Sequence, residues 1–186
     1  MIRTFATTFL IANIAFGLCL SGAGCASPGK PGESNRSVLH AQAMDTIATF
    51  RSRDPSIIRF FDDAYGYAVY PSVGKGGLIV GGAVGDGEVF QGGRVIGISR
   101  LIKGSIGLQA GGQIFAEIVF FKDRQAMDAF KSGTFAFDAG ASAVIIEAGA
   151  AINTPYKSGV AVFVRSKIGA MAEASIGGQG LTFEAD

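Results

Sequence analysis

Apolar and polar positions divide the chain into three stretches of different texture. Residues 5–20 (FATTFLIANIAFGLCL) are uncharged and largely apolar, and residues 27–37 are polar and rich in Pro, Gly, Ser and Asn. From Ser37 a helical period sets in: Leu39, Ala43, Ile47 and Phe50 share one helix face, which predicts a helix capped by Ser37 and running to about Arg53. Asp54-Pro55 has the form of an N-cap followed by proline at the first helical position. It predicts a second helix carrying Ile57, Ile58, Phe60 and Phe61 and ending around Asp62-Asp63.

From Gly66 onward the pattern is that of strands. Tyr67 to Tyr70 reads as a short strand stopped by Pro71, and Leu78 to Val84 as another, with Gly85-Asp86-Gly87 as a hairpin turn into Val89-Phe90. Arg94 to Ile102 and Ser105 to Phe121 follow, the second bent at Gly111-Gly112. Asp123 caps a short helix, Arg124 to Lys131, whose Ala126, Met127 and Phe130 face inward. Further strands are expected at 134–138, 142–148, 159–165, 170–176 and 181–183. Many strands interrupted by one helix predict an α+β fold: a curved antiparallel, barrel-like sheet with N-terminal helices and a short helix between strands.

Composition narrows the picture. Of the 186 residues, 17% are charged against a usual share of about 25%, and 48% are hydrophobic, which excludes disorder over most of the length. The 28 glycines stand largely inside apolar stretches, where they mark bends, bulges or close backbone approach. Losing Arg3 with a cleaved leader would balance the 16 Lys and Arg against the 15 Asp and Glu. Nucleic-acid binding needs a basic excess to neutralise phosphates, and this chain has none.

Met1 to Thr4 with Arg3, the apolar run, and Ser21-Gly22-Ala23-Gly24 before Cys25 form the three parts of a secretory signal. The small residues before Cys25 resemble a bacterial lipobox, which implies a leader over 1–24, lipidation of Cys25, and a lipidated, flexible tether over 25–36. Ala26 after the cysteine implies, by the same resemblance, sorting to the outer membrane. Cleavage near Gly24 or Ala26 with soluble release is the alternative. With Cys19 inside the leader and Cys25 acylated, the domain over 37–186 has no cysteine left for an internal disulfide.

Catalytic patterns are scarce. His40 is the only histidine, Ser142 lacks the flanking glycines of a nucleophile elbow, and Gly74-Lys75-Gly76-Gly77 lacks the spacing and hydroxyl of a phosphate loop. Asp62-Asp63 and Asp86-Gly87-Glu88 lack the alternating oxygen ligands of a calcium loop. Glu117, Asp138 and Glu147 form no recognisable acid–base pair. No enzyme, metal or cofactor is expected. Arg94, Arg100 and Lys103 lie in a stretch free of acids between Glu88 and Glu117. With Lys75 they could hold an anionic headgroup, or simply form a solvated strand face.

AYGYAVYPSVGKGGLIVGGAVGDGEVF (64–90), SIGLQAGGQIFAEIVFF (105–121) with AMDAF (126–130), and SGVAVFVRSKIGAMAEASIGGQG (158–180) resemble successive blocks of the lipid-binding SYLF domain, the actin-binding domain of yeast endocytic proteins. The resemblance covers about residues 37–186. It implies a non-enzymatic domain that binds anionic phospholipid, with Lys75 as the position that carries over most directly. Two functional expectations follow: an outer-membrane lipoprotein, facing the periplasm or surface-exposed, that contacts anionic lipid, or an acyl-tethered structural module with an envelope protein partner.

Overall fold

The computed structural model describes residues 33–77, 79–133, 136–137 and 143–186, and the side chains of all of these but 33–34, 106–110, 136–137 and 169–177. The leader, Cys25, Asp138 and Ser142 lie outside the described residues. Helix α1 spans Glu33–Arg53 and begins ahead of the expected Ser37 cap. Its buried face is Ala43, Ile47 and Phe50, as the period predicts, with Thr46 between them.

Asp54 ends α1 and starts the next element. Its extended backbone (φ −139°) lets the carboxylate accept the Ser56 N–H at 3.0 Å, with Pro55 following. The other carboxylate oxygen accepts the Ala151 N–H at 2.7 Å, tying the corner to a distant loop. Burial opposes ionisation of Asp54, but the Ser56 hydroxyl and the Ala151 and Ser56 N–H groups outweigh it and hold the carboxyl below its ordinary range. One 3-10 turn, Pro55–Ile57, then leads into helix α2, Ile58–Asp63.

Six strands follow: β1 Gly66–Gly77, β2 Val80–Gln91, β3 Arg94–Phe121, β4 Ala136–Phe137, β5 Ala143–Ile145 and β6 Val160–Ala185, with helix α3 (Arg124–Lys131) between β3 and β4. They form one sheet, antiparallel except where β5 runs parallel to β6. The fold is thus mixed α+β, and the sheet is not closed into a barrel.

Two strands are longer than the pattern implied. β3 runs unbroken for 28 residues and β6 for 26, where separate shorter strands were expected. The first half of β3 pairs with β2, from Gln91↔Arg94 to Val80↔Ile106. Its second half pairs with β1, from Gly77↔Gly111 to Gly66↔Phe121. β3 therefore borders both edges of the β1–β2 hairpin, changing partner across the hairpin tip, where Gly111 takes a positive φ of 117°. β6 follows β3 along this whole course, from Phe121↔Val160 to Gly97↔Ala185.

Pro71 does not stop β1, which passes it with a register shift between Val69 and Gly74 against β2. Nor is Gly85-Asp86-Gly87 a turn, because β2 runs through it. A Cβ on Gly85 would meet the Ser72 carbonyl oxygen at 2.8 Å, and one on Gly87 the Tyr70 ring at 2.5 Å. These glycines serve close approach between strands. The turn lies at Gly92-Gly93, whose φ values of 57° and 75° suit a tight hairpin.

Alternate residues feed two cores on opposite faces of the sheet. Ala68, Tyr70, Leu101, Val119, Phe121 and Val162 point to the face that α3 covers with Ala126, Met127 and Phe130. Val69, Ile118, Phe120, Ala161 and Phe163 point to the other, covered by α1, α2 and the Ile146–Ala151 segment. There Phe60 stands edge-on to Phe163 at 4.9 Å, and Tyr67 stacks on Phe90 at 5.0 Å.

Candidate functional site

Residues directly opposite in antiparallel strands share a face, so the registers place every candidate side chain. Lys75 opposes Ala83, and Ala83 opposes Lys103. Both lysines therefore lie in one row on the α3 face, two strands and about 9–10 Å apart by ordinary strand spacing. Gln113 and Gln179 continue the row.

This row is a polar network rather than an open cationic surface. Glu117 is fully buried, and it accepts from Lys103 Nζ at 2.8 Å and from Gln179 Nε2 at 2.7 Å. Tyr70, directly opposite Glu117, shares a 2.6 Å hydrogen bond with Ser99. Burial pushes the Tyr70 phenol far above its ordinary range, and the nearby Glu117 charge adds to the shift.

Arg100 stands three residues from Lys103 and so points to the opposite face, where it pairs with Asp86 at 2.7 Å. The Asp86 charge raises the Arg100 pKa further. Arg94 sits nine positions before Lys103, about 30 Å down the strand, beside the Gly92-Gly93 turn. The structure thus brings Lys75 and Lys103 into one row and separates Arg100 and Arg94 from them. Within the acid-free stretch, Arg100 finds its counter-charge in Asp86 and Lys103 in Glu117.

His40, on α1, places Nδ1 2.9 Å from Oε2 of the buried Glu88 and so joins helix to sheet. Glu147 is exposed beyond β5. Asp62-Asp63 close α2 as expected.

The feature that sequence reading missed is apolar. Ile168 opposes Ile114, Ile114 opposes Gly74, Gly74 opposes Val84, and Val84 opposes Ile102. This row crosses the face that α1 covers elsewhere, yet it stands bare: Ile168 is 68% exposed, Val84 55%, Ile102 48% and Ile114 39%. At the hairpin tip Ile79 and Val80 are 68% and 71% exposed. Towards the tip the next row is Gly112, Gly76, Gly82, Gly104 and Gly178, all exposed. Its members come from separate strands, so only the register assembles the apolar row. The available signal was the apolar residues Val84, Ile102 and Ile114 at positions alternating with the buried set.

No family model matches the chain, and no curated protein matches it. Among the described residues, no helix is long and apolar enough to cross a membrane.

Proposed function

We propose that this is an acyl-anchored envelope lipoprotein, held by Cys25, whose non-enzymatic domain lies against membrane lipid with the hairpin-tip half of its sheet. The exposed apolar row from Ile168 to Ile102 is the observation that carries this reading. Contiguous bare apolar surface on a folded domain marks a contact site, and the aliphatic tip residues Ile79 and Val80 extend it. Lys167, beside Ile168, borders the surface and favours anionic headgroups, whereas Arg100, one row below Ile102, is balanced by Asp86. The likeness of residues 64–90, 105–130 and 158–180 to the SYLF domain supports the same reading.

Barrel-like curling of the sheet belongs to this proposal. Helix α3 has eight residues, about 12 Å of cover, yet Val73, Ala83, Leu101 and Leu181 on its face are all buried. A sheet curled onto its own α3 face accounts for that burial.

The test is vesicle flotation of residues 26–186, which lack both the apolar leader and the acylated cysteine and keep every described residue. The protein is expected to float with phosphatidylglycerol-containing vesicles, and Ile102→Glu with Val84→Glu to lose at least about tenfold of that binding, since each buried side chain of this size contributes about 1.5–3 kcal/mol. Equal flotation of wild type and variant would sink the reading. Failure of the wild type to float would instead favour an envelope protein as the partner of the apolar row.

A further inference from the structure

At the end of the sheet remote from the hairpin tip, the Gly92-Gly93 turn and the Ala64-Tyr65 segment frame an open groove of about 680 Å³. Tyr65, Gln91, Gly92, Arg94, Val95 and Ile96 line it. Tyr65 and Ile96 pack against one core and Val95 against the other, so the groove opens on a seam whose apolar wall is fixed from behind.

The Arg94 side chain is exposed and has no ion pair or hydrogen bond among the described residues. Two more cations stand close by. The Arg124 guanidinium lies 5.8 Å from the Tyr65 ring centroid, and Lys131 Nζ donates to Gln91 Oε1 at 2.9 Å. Two of the neighbouring acids are committed. Asp123 accepts the Ala126 N–H, and Asp186, whose N–H bonds the Ile96 carbonyl, pairs with Arg36. Asp128 on α3, and Asp62 and Asp63 just before Ala64, face solvent without such a side-chain partner among the described residues. The opening therefore sets the Arg94 guanidinium, with Arg124 and Lys131 beyond it, beside an apolar wall.

We infer that this groove binds an organic phosphate, its anionic oxygens taken by the Arg94 guanidinium and its apolar body laid against Tyr65, Val95 and Ile96. A planar guanidinium grips two phosphate oxygens at once, which a lysine does not do. Three cations around one opening suit the charge of a phosphate better than that of a single carboxylate. The site is independent of the apolar row. Its ligand is either a soluble phosphate ester or the headgroup of a lipid, which share this chemistry.

Residues 26–186, titrated with phenyl phosphate, inorganic phosphate and phenol while the Gly92 and Gly93 amide resonances are followed, test it. Phenyl phosphate is expected to shift those amides and to bind about tenfold tighter than inorganic phosphate, and phenol not to bind. Arg94→Gln, at an exposed position with no partner to lose, should melt as wild type does. It is expected to weaken phenyl phosphate at least about tenfold, the scale of a charged hydrogen bond, with Arg94→Lys recovering part. Phenyl phosphate binding unchanged in Arg94→Gln, or shifts confined to residues elsewhere, would overturn the inference. Flotation on phosphatidylglycerol vesicles separates the sources: a loss in Arg94→Gln identifies a lipid headgroup, and no change identifies a soluble ester. Absence of flotation altogether would count against the membrane reading and leave the titration to decide this one.

Discussion

Glu117 is the most constrained charge in the molecule. Its carboxylate is buried between Lys103 and Gln179, and Lys103 is itself largely covered, with 17% of its side chain exposed. Removing one partner of such a pair strands the other, whereas replacing both with apolar groups is often neutral. Lys103→Met is therefore expected to lower stability by about 3–5 kcal/mol in urea unfolding, and Lys103→Met with Glu117→Leu to recover most of it. This pairing was hidden in the sequence. Lys103 and Glu117 lie on the same strand, either side of its change of partner, so a stretch that reads as unbalanced cation carries its own acid. Tyrosines supply a pH test. Burial raises the Tyr70 phenol, and burial with the Asp63 charge pushes Tyr156 up to about 12. Unfolded tyrosine ionises near 10, so above that pH the unfolded chain loses protons that the folded chain keeps. Stability should hold below pH 10 and fall as pH rises from 10 through 12. The Tyr156 hydroxyl is buried with no hydrogen-bond partner among the described residues. Tyr156→Phe is expected to flatten that decline and to cost nothing at pH 7, as chemical denaturation across pH would show.

Helices announced themselves and strand ends did not. The face Ala43, Ile47 and Phe50, the Asp54-Pro55 corner and the Asp123 cap are local devices, and each stands where its residues predict. Glycine misled because it serves two purposes that look alike in a string of letters. Gly92-Gly93 turn the chain, whereas Gly85 and Gly87 let neighbouring strands approach. The difference is testable by substitution. Gly87→Ala drives a methyl to 2.6 Å from the Val69 carbonyl oxygen and 2.5 Å from the Tyr70 ring, and overpacking of this kind costs about 1–3 kcal/mol. Gly104→Ala meets nothing within 4 Å, and is expected to be neutral or to stabilise by up to about 1 kcal/mol by restricting the unfolded chain. Thermal melts of the two variants should move apart in those directions. Pro71 misled for a related reason: a register shift absorbs the missing donor, so the strand continues.

Among the described residues, one sheet carries two back-to-back cores, with helices over part of each face. The α+β class was legible because one helix interrupts many strands. The exposed apolar row and the Arg94 groove were not, since each is assembled from distant segments: the row from four strands, the groove from the segment before β1 and the β2–β3 turn. The same architecture has a consequence in time. Gly97 faces Val89 of β2 on one side, but its partner on the other side is Ala185, 88 positions later, so that edge of β3 stays vacant until β6 has been synthesised. Such distant pairings delay closure, and an unfinished chain exposes a long template for mispairing. A nascent polypeptide of this kind remains open along that edge late into its synthesis, and its sheet is completed only when β6 emerges.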